Sequence, residues 1–164
     1  MRIDLFDSGC FRIAVPEGWM AFCGIDSECR TTPKKVHVFK GAKIETDIFT
    51  HVGITICFFG KEDYYLSPRF FYDNIADMEP FTLGAYTWSG YTCTSCGYPY
   101  TMLEARQDGC VFQVMILMEN GEHKLAFSDA DEQAVLGRLT QTGGKANKNT
   151  QRGDGAGSSL ALTY

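Results

Sequence analysis

Apolar and polar positions alternate with a period of two along most of this chain, and that pattern predicts strands. Phe11, Ile13 and Val15 alternate with Arg12 and Ala14, and Pro16-Glu17-Gly18 then ends the run in a turn. Residues 19–23 read as the returning strand, and residues 24–33 as a polar, irregular connection. Val36, Val38 and Lys40 alternate with His37 and Phe39. From His51 to Phe59, Val52, Ile54, Ile56 and Phe58 share one face, while His51, Gly53, Thr55 and Cys57 share the other.

The period then lengthens. Ser67-Pro68 offers a cap and a first helical position, and Phe71, Ile75 and Met78 follow at i, i+4, i+7. This spacing predicts a helix that Pro80 stops. Residues 82–88 return to an extended pattern, and residues 99–106, 110–118 and 122–127 predict a meander. Its joints are Asp108-Gly109 and Asn120-Gly121, both strong hairpin signals. Residues 110–118 are apolar on both faces, as a central covered strand should be. A last helix is expected from Ser128, with Asp129, Asp131 and Glu132 in its first turn and Val135 and Leu139 along its apolar edge.

The order of elements predicts an α+β domain over residues 1–140: a mostly antiparallel sheet of six or seven strands with helices packed on it. Residues 141–164 are rich in Gly, Asn, Lys and Ser and read as a disordered tail. The chain has 164 residues, one domain's worth, and needs no disulfide staples to fold.

Charge narrows the partners. The net charge is −5, and the tail carries Lys145, Lys148 and Arg152 against Asp154, so residues 1–140 carry −7. Such a body repels phosphate backbones and anionic lipid surfaces, which argues against nucleic-acid and membrane binding. Residues 1–7 lack the apolar core of a signal peptide, and the seven cysteines are an odd number. Reduced thiols in a cytoplasmic protein are the simplest expectation.

The opening Phe11-Arg12-Ile13-Ala14-Val15-Pro16-Glu17-Gly18-Trp19 resembles the start of the PsbP-like superfamily. That superfamily includes the photosystem II extrinsic subunit, Ran-binding Mog proteins and DcrB-type bacterial lipoproteins. The layout over residues 3–140 is similar too, with a mid-chain helix, a Gly-marked strand near Gly90, a meander, and a final helix ending in Val135-Leu136-Gly137-Arg138-Leu139. The resemblance implies an α/β/α sandwich, a non-catalytic role and a protein partner. It carries over no functional residue. The absence of a lipoprotein signal sets this chain apart from the DcrB-type branch.

Candidate chemistry centres on Cys93-Thr94-Ser95-Cys96-Gly97-Tyr98, which looks like one metal knuckle of the rubredoxins. Zinc or iron needs four ligands, and the chain has no second Cys-x-x-Cys. The pair could equally be redox-active, but Gly97-Tyr98-Pro99 offers no helix N-terminus to activate a thiolate. Structural thiols are the third reading, since an extended segment would point Cys93 and Cys96 to opposite faces.

Tyr86, Trp88, Tyr91, Tyr98 and Tyr100 could form a recognition surface or could pack a sheet. His37, His51 and His123 lie in strand-like segments with no nucleophile signature beside them. Asp26, Glu28, Glu62 and Asp63 read as solvated loop charges, and Arg152-Gly153-Asp154 as a chance tripeptide. No phosphate-binding loop or Gly-x-Ser-x-Gly occurs. The expectation is a non-catalytic protein-binding or assembly module without a cofactor. The alternatives are a small redox or metal protein built on Cys93 and Cys96, and a bacterial immunity or secretion-accessory protein.

Overall fold

The computed structural model describes residues 3–24 and 34–142. The expected 141–164 tail, Asp26, Glu28 and Arg152-Gly153-Asp154 therefore lie almost wholly outside the described residues.

Among the described residues, twelve strands occur in chain order. They are β1 (Ile3–Asp7), β2 (Phe11–Pro16), β3 (Trp19–Cys23), β4 (Lys35–Lys40), β5 (Gly53–Phe59), β6 (Asp73–Leu83), β7 (Tyr86–Ser95), β8 (Tyr98–Gln107), β9 (Cys110–Leu117), β10 (Glu119–Asn120), β11 (His123–Lys124) and β12 (Thr140–Gln141). Seven of them form one antiparallel sheet in the order β3-β4-β5-β9-β8-β7-β6. A smaller sheet, β1-β2-β12, and the helix α1 (Ala130–Gly137) pack together.

Period-two alternation places one face of the large sheet against this layer. Val36, Val38, Ile54, Ile56, Phe112, Val114, Ile116, Leu103 and Trp88 meet Phe11 and Ile13 of β2 and Val135, Leu136 and Leu139 of the helical segment. Phe11 stands edge-on to Phe112, with ring centres 5.4 Å apart. The central strand β9 is buried on both faces, as its apolar run predicts.

The helix expected from Ser67 to Pro80 is not there. Ser67 does cap, accepting from the Arg69 N–H at 3.4 Å, but only a single 3-10 turn follows at Pro68–Phe71. Asn74 then takes a positive φ of 54° and the chain becomes the 11-residue strand β6. Two register shifts, between Asp73 and Ala76 and between Met78 and Phe81, move the strand's phase against β7. Its half-buried residues are Ile75, Met78, Phe81 and Leu83. The half-buried positions Ile75, Met78 and Phe81 thus fall three apart and imitate a helix stripe, although Ile75 packs in a second cluster and Met78 and Phe81 in the main core. Pro80 is tolerated because β6 is a sheet edge and needs no N–H there.

Other boundaries moved less. The strand expected over residues 122–127 is only the two-residue β11, paired with β10 around Gly121 and Glu122. The segment 82–88 is split by a turn, where Gly84 has a φ of +67°. A Cβ at Gly84 would run into the Gly137 carbonyl, so the β6–β7 turn sits hard against the end of α1. The last helix starts slightly later than the expected Ser128: Asp129 is its N-cap, accepting from the N–H groups of Asp131 and Glu132.

Candidate functional site

The second face of the large sheet is where the chain departs from a simple packed layer. Strands β5 and β6 are separated by β9, β8 and β7, so the connection 60–72 must cross a face of the sheet. Side-chain contacts show which face. Tyr65 packs on Phe59 at 4.8 Å and donates its hydroxyl to Glu104 Oε1 at 3.1 Å. The Arg69 guanidinium lies over the Tyr91 ring at 5.0 Å and pairs with Asp77 at 2.7 Å. Tyr72 joins a second apolar cluster around Tyr91, Cys93 and Met102.

This strap is anchored at its start by Asp63. The Asp63 carboxylate accepts from the Gly60 N–H at 2.7 Å and from the Lys34 ammonium. Those bonds hold it below the usual carboxylate range. Asp63, expected to be a solvated loop charge, therefore clamps a turn.

Between strap and sheet lies a cavity of about 320 Å³. Tyr65, Ser67 and Arg69 line it from the strap, Asp77 from β6, Ser89 and Tyr91 from β7, Met102 and Glu104 from β8, and Gln113 from β9. Ser89 pairs across to Glu104 and Glu104 to Gln113, so three polar side chains stand in one row over three strands. Glu104 also takes the Arg106 guanidinium at 2.6 Å. Burial pushes the Tyr91 phenol up to about 12 and moves Tyr65 in the same direction, so both hydroxyls stay protonated donors at neutral pH.

The outer side of the strap is apolar. Tyr64, Leu66, Phe70 and Phe71 are 82%, 59%, 86% and 78% exposed. Phe70 and Phe71 lead into β6, whose outer edge pairs with no other strand among the described residues. That edge strand carries Asp73, Asp77 and Glu79 and no basic residue.

The side chains singled out from sequence do not form one patch. Tyr86 and Trp88 are buried in the main core, and Tyr91 is buried on the opposite face. Tyr86 Oη accepts from the Gln141 N–H at 3.2 Å, and Trp88 donates its indole N–H to the Leu83 carbonyl at 3.3 Å. Tyr100 is half-buried, and Tyr98 is 44% exposed. Cys93 is buried in the second cluster, and burial raises its thiol pKa. Cys96 is exposed on the β7–β8 turn, where it has φ 53° and Gly97 has φ 85°. The Cys96-Gly97 pair forms a two-residue hairpin of the type that needs two positive φ values.

Among the described residues, no three His, Cys, Asp or Glu side chains gather as a metal-ion site. His51 and His123 stack with ring centres 4.3 Å apart, and the His37 Nδ1 lies 2.8 Å from Thr55 Oγ1. The exposed strap is hidden in the sequence because Ser67-Pro68 and Phe71 fit the start of a helix stripe with Ile75 and Met78. The doubled aromatics Tyr64-Tyr65 and Phe70-Phe71, flanking Ser67-Pro68, are the signal that sets it apart.

No protein-family model matches this chain, and no curated protein is similar to it.

Proposed function

We propose that the protein is a non-catalytic binding module that takes a basic, extended segment of a partner protein along the free edge of β6. The observation that carries this is the exposure of Phe70 and Phe71 at the end of the strap that leads into an acidic edge strand. Exposed large aromatic side chains next to each other mark interaction sites. An open edge supplies main-chain donors and acceptors for an added strand. The acidic residues of β6 disfavour a second copy of the same acidic chain on this edge. The same charges, with a net −7 over residues 1–140, favour a cationic segment.

The resemblance to the PsbP-like superfamily supports the same reading, since that likeness implies protein binding and a sheet covered by helices. Of such helices, the described residues hold α1.

Fluorescence anisotropy with labelled peptides tests the proposal. A peptide alternating Lys with Val should bind, and binding should weaken with salt. Asp73→Lys with Glu79→Lys should abolish it, and Phe70→Ser with Phe71→Ser should weaken it while the protein stays folded. Equal binding of a peptide alternating Glu with Val would sink the reading.

A further inference from the structure

Docking on the strap's outer surface leaves the cavity on its inner side unused. We propose that this cavity binds a small, neutral, polyhydroxylated molecule, a sugar or polyol. At about 320 Å³ it reaches the size of ligand cavities, roughly 300–1,000 Å³.

Its charges are already matched from within. Arg69 is paired with Asp77 at 2.7 Å, and Glu104 holds Arg106 at 2.6 Å and the Tyr65 hydroxyl at 3.1 Å. An ionic ligand would find no unpaired counter-charge and would have to break one of these pairs. The remaining groups are uncharged hydrogen-bonders. The Ser89 hydroxyl and the Gln113 amide flank Glu104 in the same cross-strand row, with Ser67 on the strap above.

A primary amide offers two donors and an acceptor, and a serine hydroxyl offers one donor with two lone pairs. Ligand hydroxyls, each donor and acceptor at once, satisfy that mixed set; a purely apolar ligand would strip it of water and leave it unpaired. Neighbouring strands lie roughly 4.8 Å apart. The row therefore repeats its polar groups on the scale of a sugar ring. Tyr91 and Met102, paired across β7 and β8, form the apolar floor of the cavity, with the Arg69 guanidinium over the Tyr91 ring.

The test is a titration of the full chain followed by amide-resolved NMR. The probes are glucose, N-acetylglucosamine, maltose and myo-inositol, with glucosamine and glucuronate as charged comparisons. At least one neutral probe should give saturable shifts at Ser89, Glu104 and Gln113. Gln113→Leu should weaken that probe about tenfold, the scale of one lost hydrogen bond. Ser89→Ala lies at an exposed position and serves if Gln113→Leu does not fold; it should weaken the same probe. The proposal is overturned if no neutral probe saturates, if glucosamine or glucuronate binds as tightly, or if the folded variants keep full affinity. Peptide binding at the β6 edge is scored separately, so either proposal can fail alone.

Discussion

Trp88 and Tyr91 lie three positions apart on one strand and bury themselves on opposite faces of the same sheet. Trp88 enters the main core with no exposed surface, while Tyr91 enters the smaller cluster with Cys93 and Met102. Both contribute to stability, but in layers of different depth. Trp88→Ala should cost about 3–5 kcal/mol in denaturant unfolding, the range for a large buried aromatic. Its indole N–H bond to the Leu83 carbonyl goes with it. Trp88→Ala would then weaken any complex through unfolding rather than through a lost contact. A variant that unfolds like the parent would place Trp88 outside the core.

The same pair shows what the sequence could and could not say. Alternation located β2, β4 and β5, because each has one face that must be buried and a period of two follows, while β8 and β9 followed from the hairpin signal between them and the doubly apolar run. The hairpin at Asp108-Gly109 was legible from two residues, and both take positive φ there. Which face each aromatic of β7 serves was not legible, since the strand is buried first on one side and then on the other. That switch depends on the strap, and the strap was hidden by β6. Two bulges gave Ile75 and Met78 helical spacing, and nothing local distinguishes a bulged edge strand from a short helix.

The two cysteines of the knuckle-like segment should separate cleanly by reactivity. Cys96 is exposed on its turn and Cys93 is buried with a raised thiol pKa. A thiol reagent at neutral pH, read by peptide mass spectrometry, should label Cys96 early. Cys93 should follow only as the strand opens, because the thiolate is the reactive form. Equal, fast labelling of both would revive a redox or metal role for the pair.

Gly84 is a point where backbone and packing constrain one residue together. Its φ of +67° disfavours any side chain, and a Cβ would collide with the Gly137 carbonyl at the end of α1. Gly84→Ala should therefore destabilise by more than about 1 kcal/mol, the cost of a strained turn position alone. Gly97→Ala is the comparison. It shares the positive φ but has open space around it, so it should cost less. Thermal unfolding of the two variants side by side measures the clash with α1.

Glu132 makes stability depend on pH in a direction unusual for a carboxylate. It is fully buried on α1, and neither oxygen has a hydrogen-bond partner. Burial, with the Asp129 carboxylate adding to it, raises its pKa to about 8 from an ordinary 4.5. Between those values the folded state keeps a proton that the unfolded state has released, so stability falls as pH rises. His37 acts oppositely. Burial, then the neighbouring Lys35, lowers it to about 4 from 6.5. Between pH 4 and 6.5 the unfolded state holds the extra proton, so stability rises with pH. The two slopes cancel from pH 4.5 to 6.5. From 6.5 to 8 only Glu132 acts, and unfolding free energy should drop by about 2 kcal/mol. Glu132→Gln removes that descent. Its stability should rise to pH 6.5 and then stay level, exceeding the parent's by a margin that widens from pH 4.5 to pH 8. Chemical denaturation of both proteins across pH 5 to 9 measures this, and a parent curve that is flat above pH 6.5 would show that Glu132 reaches solvent.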